Sequence, residues 1–279
     1  PHCQCVSKMD VSIVFVIYFL CGAISAKPHL RTKPDTKGIG GALGIVGGTT
    51  APITKFPYQA ALLASNDYCV GAGAIVAKKF IVTSAWLAAH YFPIQVRVGS
   101  TYGTKGGQLI DIEKVITHEK FDDMYSYDVA LLKLSKPIKF GKTAKPVKLA
   151  TKEAKNDSLV VLSGYGSSES DNMGDDNGEL TQGKQNMVDL ETCEQTYNSL
   201  DESNTCAKSK TVCACYYDYG APIVQKSKLL GWFIGGSYCC FSDHPQIYAN
   251  VPTIAKWVKD KIKSEGYDEE DNLGFYYEE

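Results

Sequence analysis

The sequence predicts an all-β fold, a barrel or a sandwich, finished by one C-terminal helix. Three observations carry that expectation. Apolar runs of strand length recur at near-regular intervals from residue 45 onward, most of them bounded by Gly, Pro, Asn or Asp. Only residues 252–263 show helical periodicity, with Ile254, Trp257, Val258 and Ile262 on one face and lysines on the other. Aromatic residues make up 11% of the 279, 17 of them tyrosines, a composition that favours strands.

Read in order, residues 1–8 precede Met9 and look like upstream sequence. The apolar run 13–20, followed by small residues up to Ala26, has the length of a signal-peptide core. It is too short to span a bilayer, which takes about 20 apolar residues. Residues 9–26 therefore read as a signal peptide and the protein as secreted, with no membrane partner. Residues 27–44 are basic, contain Pro and Gly, lack periodicity, and read as a pro-segment. Strands are expected at 58–64, 73–76, 80–84, 95–98, 109–116, 129–134, 158–163, 223–224, 229–234 and 246–251, then the helix at 252–263. That makes 45–263 one domain. Residues 264–279 form an acidic tail, with seven acids and no base from residue 265 on.

Several function classes drop out. The chain carries a net −2, and from residue 45 on it has 24 basic and 29 acidic groups, a formal −5, so no nucleic-acid footprint is expected. There is no GxGxxG, P-loop or zinc-spaced CxxC pair, so no cofactor and no metal are expected. Ten cysteines fit an oxidising compartment. Cys3, Cys5 and Cys21 fall in upstream or signal sequence, and the seven that remain are an odd number. Asn156-Asp157-Ser158 is a formal glycosylation sequon.

Five motifs then occur in a telling order: Ile45-Val46-Gly47-Gly48, Asp128-Val129-Ala130-Leu131-Leu132, Gly164-Tyr165-Gly166, the block from Cys215 to Pro222, and Pro245-Gln246-Ile247-Tyr248 before the Trp257 helix. Together they resemble the chymotrypsin-like serine proteases over residues 45–263. The resemblance implies two six-stranded antiparallel β-barrels with an active-site cleft between them. It also implies a serine, a histidine and a buried aspartate acting together, with backbone donors for the oxyanion.

Residue by residue, the implied machinery is degenerate. Asp128 matches the aspartate. The family's histidine lies fifteen residues after the cysteine of a Cys-Gly-Gly-Ser-Leu-Ile strand; here that cysteine is Gly71, and the spacing puts the histidine position at Trp86. The cysteine following the histidine has become Leu87, so both halves of one family disulfide are missing together. His90, in Ala88-Ala89-His90, is the competing candidate, and it needs four extra residues in the preceding hairpin. The family's Gly-Asp-Ser-Gly-Gly-Pro appears as Tyr217-Asp218-Tyr219-Gly220-Ala221-Pro222, so Tyr219 holds the serine position and Tyr217 the oxyanion glycine.

Cys213 stands at the pocket base, Ile234-Gly235-Gly236 on the peptide-pairing strand, and Gln246 in place of a pocket-wall glycine. These changes predict a narrowed or plugged cleft. Ile45 and Asp218 keep the family's activation pair, although Gly44 lacks the Lys or Arg of a trypsin-cut precursor. The resemblance further implies Cys193–Cys206 and Cys215 with Cys239 or Cys240, Cys213 with the one left over, and a free Cys69. Among the family, the chain is most similar to the scabies mite inactivated serine protease paralogues, relatives of mite trypsin-like allergens. That likeness implies a secreted homologue without catalysis, acting on host or extracellular proteins such as complement components. The alternative is a residual or altered-specificity endopeptidase using His90 or Tyr219.

Overall fold

A computed structural model describes residues 44–166 and 178–267. The expected signal peptide, the pro-segment up to residue 43, part of the 167–180 loop and most of the acidic tail lie outside the described residues.

Two closed barrels account for most of the fold. The first is built from β2 (Gln59–Leu63), β3 (Cys69–Ala77), β4 (Phe80–Thr83), β5 (Gln95–Val98), β6 (Gln108–Thr117) and β7 (Ala130–Leu134), closed in the order β2-β3-β4-β7-β6-β5. Its core packs Leu62, Ile75, Ile81, Val96, Ile110 and Leu132. The second uses β9 (Leu159–Gly164), β10 (Thr181–Val188), β11 (Asn204–Lys208), β12 (Pro222–Gln225), β13 (Lys228–Gly236) and β14 (Gln246–Ala249). It runs β9-β10-β11-β14-β13-β12 and closes through β12–β9 pairing. Two-residue strands β1 (Thr49–Thr50) and β8 (Lys148–Leu149) join it at β10 and β13. The expected chymotrypsin-like architecture is therefore present.

Two second-barrel strands escape the hydrophobic pattern for a physical reason. Along β10 the inward positions are Thr181, Gly183, Gln185 and Met187. The buried Gln185 amide donates to Val212 O at 2.8 Å and to Gln246 Oε1 at 2.7 Å, while its Oε1 accepts from Tyr248 Oη at 2.7 Å. Buried polar groups are tolerated when bonded in this way. β11 likewise buries Asn204, whose amide donates to Tyr125 O at 2.7 Å.

Among the described residues, three α-helices appear where the sequence reading expected one. α1 (Ala85–Tyr91) starts where the Ser84 side chain accepts from Leu87 N, an N-cap at the end of a strand. α2 (Leu190–Glu194) is a single turn capped by Asp189. α3 (Val251–Ser264) buries Ile254, Val258 and Ile262 and fastens to the first barrel. There Trp257 Nε1 donates to Glu119 Oε2 at 2.7 Å, and Glu265 accepts from Lys114 at 2.6 Å and Lys133 at 3.0 Å. The Tyr267 ring meets Phe80 edge-on.

Candidate functional site

Asp128 sits just before β7 with its carboxylate fully buried. Its Oδ1 accepts from Trp86 N at 2.8 Å and from Ser84 Oγ at 3.0 Å, and its Oδ2 accepts from the same hydroxyl at 2.8 Å. The Asp128 carbonyl accepts from Trp232 Nε1 at 3.0 Å, a bond reaching across from β13 of the second barrel. Burial pushes the carboxyl up to about 7, although the Trp86 N–H and the Ser84 hydroxyl pull the other way. Among the described residues, none of its hydrogen bonds comes from an imidazole.

Trp86, the second residue of α1, projects an indole into the centre of the site. It lies 4.6 Å from the Tyr219 ring on one side and 4.5 Å from the stacked His90 ring on the other. His90 stands one helical turn further on. Its Nδ1 is 2.9 Å from the Trp86 carbonyl, and its Nε2 faces Asp123 at 3.8 Å with the side chain 42% exposed. The alternative histidine therefore points at its own helix and at an exposed acid, not at Asp128.

Tyr219 fills the space between the barrels. Its hydroxyl bonds the Tyr238 hydroxyl, and its ring contacts Phe233 at 5.6 Å. Burial raises the Tyr219 phenol to about 12 and carries Tyr238 higher still. Two phenols bonded to each other and desolvated favour the neutral form. Tyr217 holds φ at +63°, so it keeps the left-handed backbone that glycine adopts freely and a tyrosine adopts at a cost of about 1–2 kcal/mol.

At the positions that the resemblance assigns to the pocket, the protein's own side chains bond to one another and to its backbone. The buried Gln246 side chain accepts from Ala214 N at 2.8 Å and donates to Ala214 O at 3.0 Å and Ser237 O at 2.5 Å. Its amide thus ties the backbone at Ala214 to that at Ser237. Cys213 at the base is bonded to Cys240, and Cys215 beside it to Cys239. Ile234 is buried, and a Cβ placed on Gly235 would lie 2.8 Å from the Tyr125 ring. A Cβ on Gly236 would come 3.0 Å from Tyr197 Oη. Two tyrosines thus lie against the end of β13.

The missing family bridge has a physical replacement. A Cβ on Gly71 would fall 2.0 Å from Leu87 Cδ1 and 2.8 Å from Tyr219 O. The buried Leu87 side chain fills the space next to Gly71, so the two substitutions fit only together. Cys193 and Cys206 are bonded, and among the described cysteines Cys69 alone is free. Burial raises its thiol to about 12.

In the intact chain the Ile45 nitrogen is an amide. It donates to Thr181 Oγ1 at 2.7 Å, whereas the Asp218 oxygens accept from Cys215 N at 2.9 Å and Gly166 N at 3.0 Å. Burial pushes Asp218 up to about 7. Gly44 and Ile45 are both buried, and a Cβ on Gly44 would lie 2.0 Å from Thr181 Oγ1.

Sequence reasoning named Trp86, Asp128, Tyr217, Tyr219, Cys213, Ile234, Gly236 and Gln246, of which the fold packs Trp86 against Tyr219, bonds Trp86 N to Asp128 and bonds Gln246 to Ala214 beside Cys213. It missed Tyr125, Tyr238, Ser84 and Thr181, which belong to no motif; only the tyrosine count hinted at the first two. No group of three or more His, Cys, Asp or Glu that could hold a metal occurs among the described residues. Nor is any described helix long and apolar enough to cross a membrane.

The family profile described as "Trypsin" matches residues 45–258. Trypsin 5G1 of Aedes aegypti is 29% identical over 263 residues, covering 90% of this chain and 97% of its own. Hypodermin-B of Hypoderma lineatum is 32% identical over 227 residues, covering 79% and 88%. Among solved structures, the scabies mite inactivated protease paralogue S-D1 superposes with a TM-score of 0.72 at 25% identity, covering 79% of this chain and 98% of its own.

Proposed function

The chain belongs to the trypsin family, and from that premise we propose that it is a secreted pseudoprotease, a protein that binds other extracellular proteins and does not cleave them. One observation carries the reading: the histidine and serine positions hold Trp86 and Tyr219, packed ring against ring at 4.6 Å. Acyl transfer needs a nucleophile within reach of a base that titrates near neutral pH. The Tyr219 phenol is raised to about 12 and is bonded to a second phenol. Asp128, which would orient an imidazole, accepts from Ser84 and the Trp86 N–H. Gln246 fills the pocket that would select a substrate side chain.

Three disulfide bonds support an oxidising compartment. The similarity to an inactivated mite paralogue supports loss of catalysis with retention of fold. By the same resemblance, host proteins of the complement system are the partner class.

The test has two arms. The purified protein is offered a peptide library and an active-site-directed phosphonate; no turnover and no covalent mass adduct are expected. Turnover that disappears in Tyr219→Phe would sink the reading in favour of an altered hydrolase. In the second arm, added protein is expected to lower serum lysis of antibody-coated erythrocytes in a dose-dependent way. Unchanged lysis would remove complement as the partner class.

A further inference from the structure

The segment that links the barrels carries a charge pattern unlike the rest of the molecule. From Leu134 to Lys152 there are six lysines, at 136, 139, 142, 145, 148 and 152, and no acidic residue. Outside it, residues 45–263 carry 18 basic and 22 acidic groups, a formal −4. The first five lysines recur every third residue.

Burial follows that period except at Gly141, which is exposed, and Leu149, which is buried. Ile138, Ala144, Val147 and Ala150 are buried, each two residues after or one before a lysine position, whereas Lys136, Lys139, Lys142 and Lys145 are exposed. Between Leu134 and Lys148 the chain makes no strand or helix. The connector bends at residues 135–136 and again at 141–143, where Gly141 N donates to Ala144 O at 2.9 Å.

The connector is fixed in place on both barrels. Ile138 N donates to Lys78 O at 2.7 Å, Lys145 N to Pro57 O at 2.8 Å and Val147 N to Ile75 O at 2.9 Å, and Ala150 N donates to Leu229 O of the second barrel at 2.9 Å. The Gln108 side chain holds the backbone of Lys139 at both N–H and C=O. None of Lys136, Lys139, Lys142 and Lys145 has a carboxylate within 4.0 Å among the described residues, whereas neighbouring Lys133 is paired with Glu113 and Glu265. Four exposed ammonium groups are thus presented by a connector whose backbone is already anchored to both barrels.

We propose that this connector docks a sulfated polysaccharide. A polyanion complements an acid-free run of lysines that have no carboxylate partner, and lysine serves as a point charge where arginine would favour bidentate recognition. The disulfides place the fold in an oxidising compartment, where sulfated glycans are the polyanion a secreted protein meets. The connector offers single-stranded nucleic acid little to stack on, since Phe140 is its one aromatic residue. Ordering of the backbone before binding reduces the entropy lost on docking.

The test is retention of the full chain on immobilised heparin over a salt gradient, beside a variant carrying Lys136→Gln, Lys139→Gln, Lys142→Gln and Lys145→Gln. These side chains are exposed, so an unchanged melting curve is expected to confirm that the variant folds. The wild type is expected to bind at low salt with a steep log–log salt dependence. The variant should lose most of its retention, with the slope reduced by roughly 0.7–0.9 per lysine removed. Wild type that flows through, or a variant that elutes with it, overturns the proposal. Duplex DNA competing as well as heparin at equal charge concentration overturns the assignment to a polysaccharide.

Discussion

The two barrels hold their faces of the cleft by different means. All three disulfides lie in the second barrel and its loops, and two of them, Cys213–Cys240 and Cys215–Cys239, brace the segment that carries Tyr217 and Tyr219. The first barrel has no bridge; the space beside Gly71 is filled by Leu87, and the backbone around Trp86 is anchored on Asp128. Covalent bracing tolerates irregular backbone: Tyr217, Cys239 and Cys240 all have positive φ. The packed face has positive φ too, at Phe92 and Tyr127, and its constraint lies instead in side chains such as Leu87 that leave room only for their partner.

Both faces nevertheless bury one carboxylate raised to about 7, Asp128 in the first and Asp218 in the second. The largest expected effect follows from that shared feature. An unfolded aspartate titrates near 4, so between pH 4 and 7 the folded chain binds more protons than the unfolded one and stability falls as pH rises. The stabilisation is present in full below about pH 4 and is lost as pH climbs through 7, by up to about 4 kcal/mol per carboxyl. Urea melts from pH 4 to 8 should show the decline; stability flat over that range would refute the pair's assignment.

Asparagine at each position separates the two faces. Asp218 accepts from two backbone N–H groups, so Asp218→Asn turns an amide N–H toward another donor, with an expected cost of about 2–3 kcal/mol at pH 5. Asp128 also accepts from the Ser84 hydroxyl, which can rotate to accept, so Asp128→Asn should cost less than Asp218→Asn at that pH. Equal losses would show that the hydrogen-bond sets do not distinguish the faces.

Packing comes next in size. Leu87→Ala should cost about 2–5 kcal/mol, since a fully buried leucine would leave a cavity beside Gly71. Gly71→Ala should also destabilise, and combining it with Leu87→Ala should recover part of the loss. Additive losses in the thermal melts would mean that the two residues do not share one space. The smallest effect is expected at Tyr217: Tyr217→Gly relieves a positive φ and should raise stability by about 1 kcal/mol or less. A drop would mean that contacts of the tyrosine ring outweigh the backbone strain.

Most of the fold was legible because most strands bury apolar side chains on a fixed face; β10 and β11 were not, because Gln185 and Asn204 face inward and are satisfied by distant partners. α1 was hidden by its neighbour: the residues of β4 run into Ser84, whose capping role depends on a helix that only the barrel packing defines. Trp86 and Tyr219 could be placed since spacing from a motif survives substitution. Tyr125 and Tyr238 could not, because what makes them part of the site is approach in space from loops without any motif. The lysine-bearing connector lies between these cases. Its period of three is plain in the sequence, but only the burial of Ile138, Ala144 and Val147 gives that period a direction.

The fit of Gly44 against Thr181 bears on timing. A protease engages its target as an extended stretch of several residues, yet the Gly44–Ile45 bond lies inside the fold with no space even for a methyl group on Gly44. Precursor enzymes use cleavage at this junction as a clock that separates manufacture from action. Here the folded domain conceals the hand of that clock, and the Thr181 hydroxyl already holds the nitrogen that cutting would have freed.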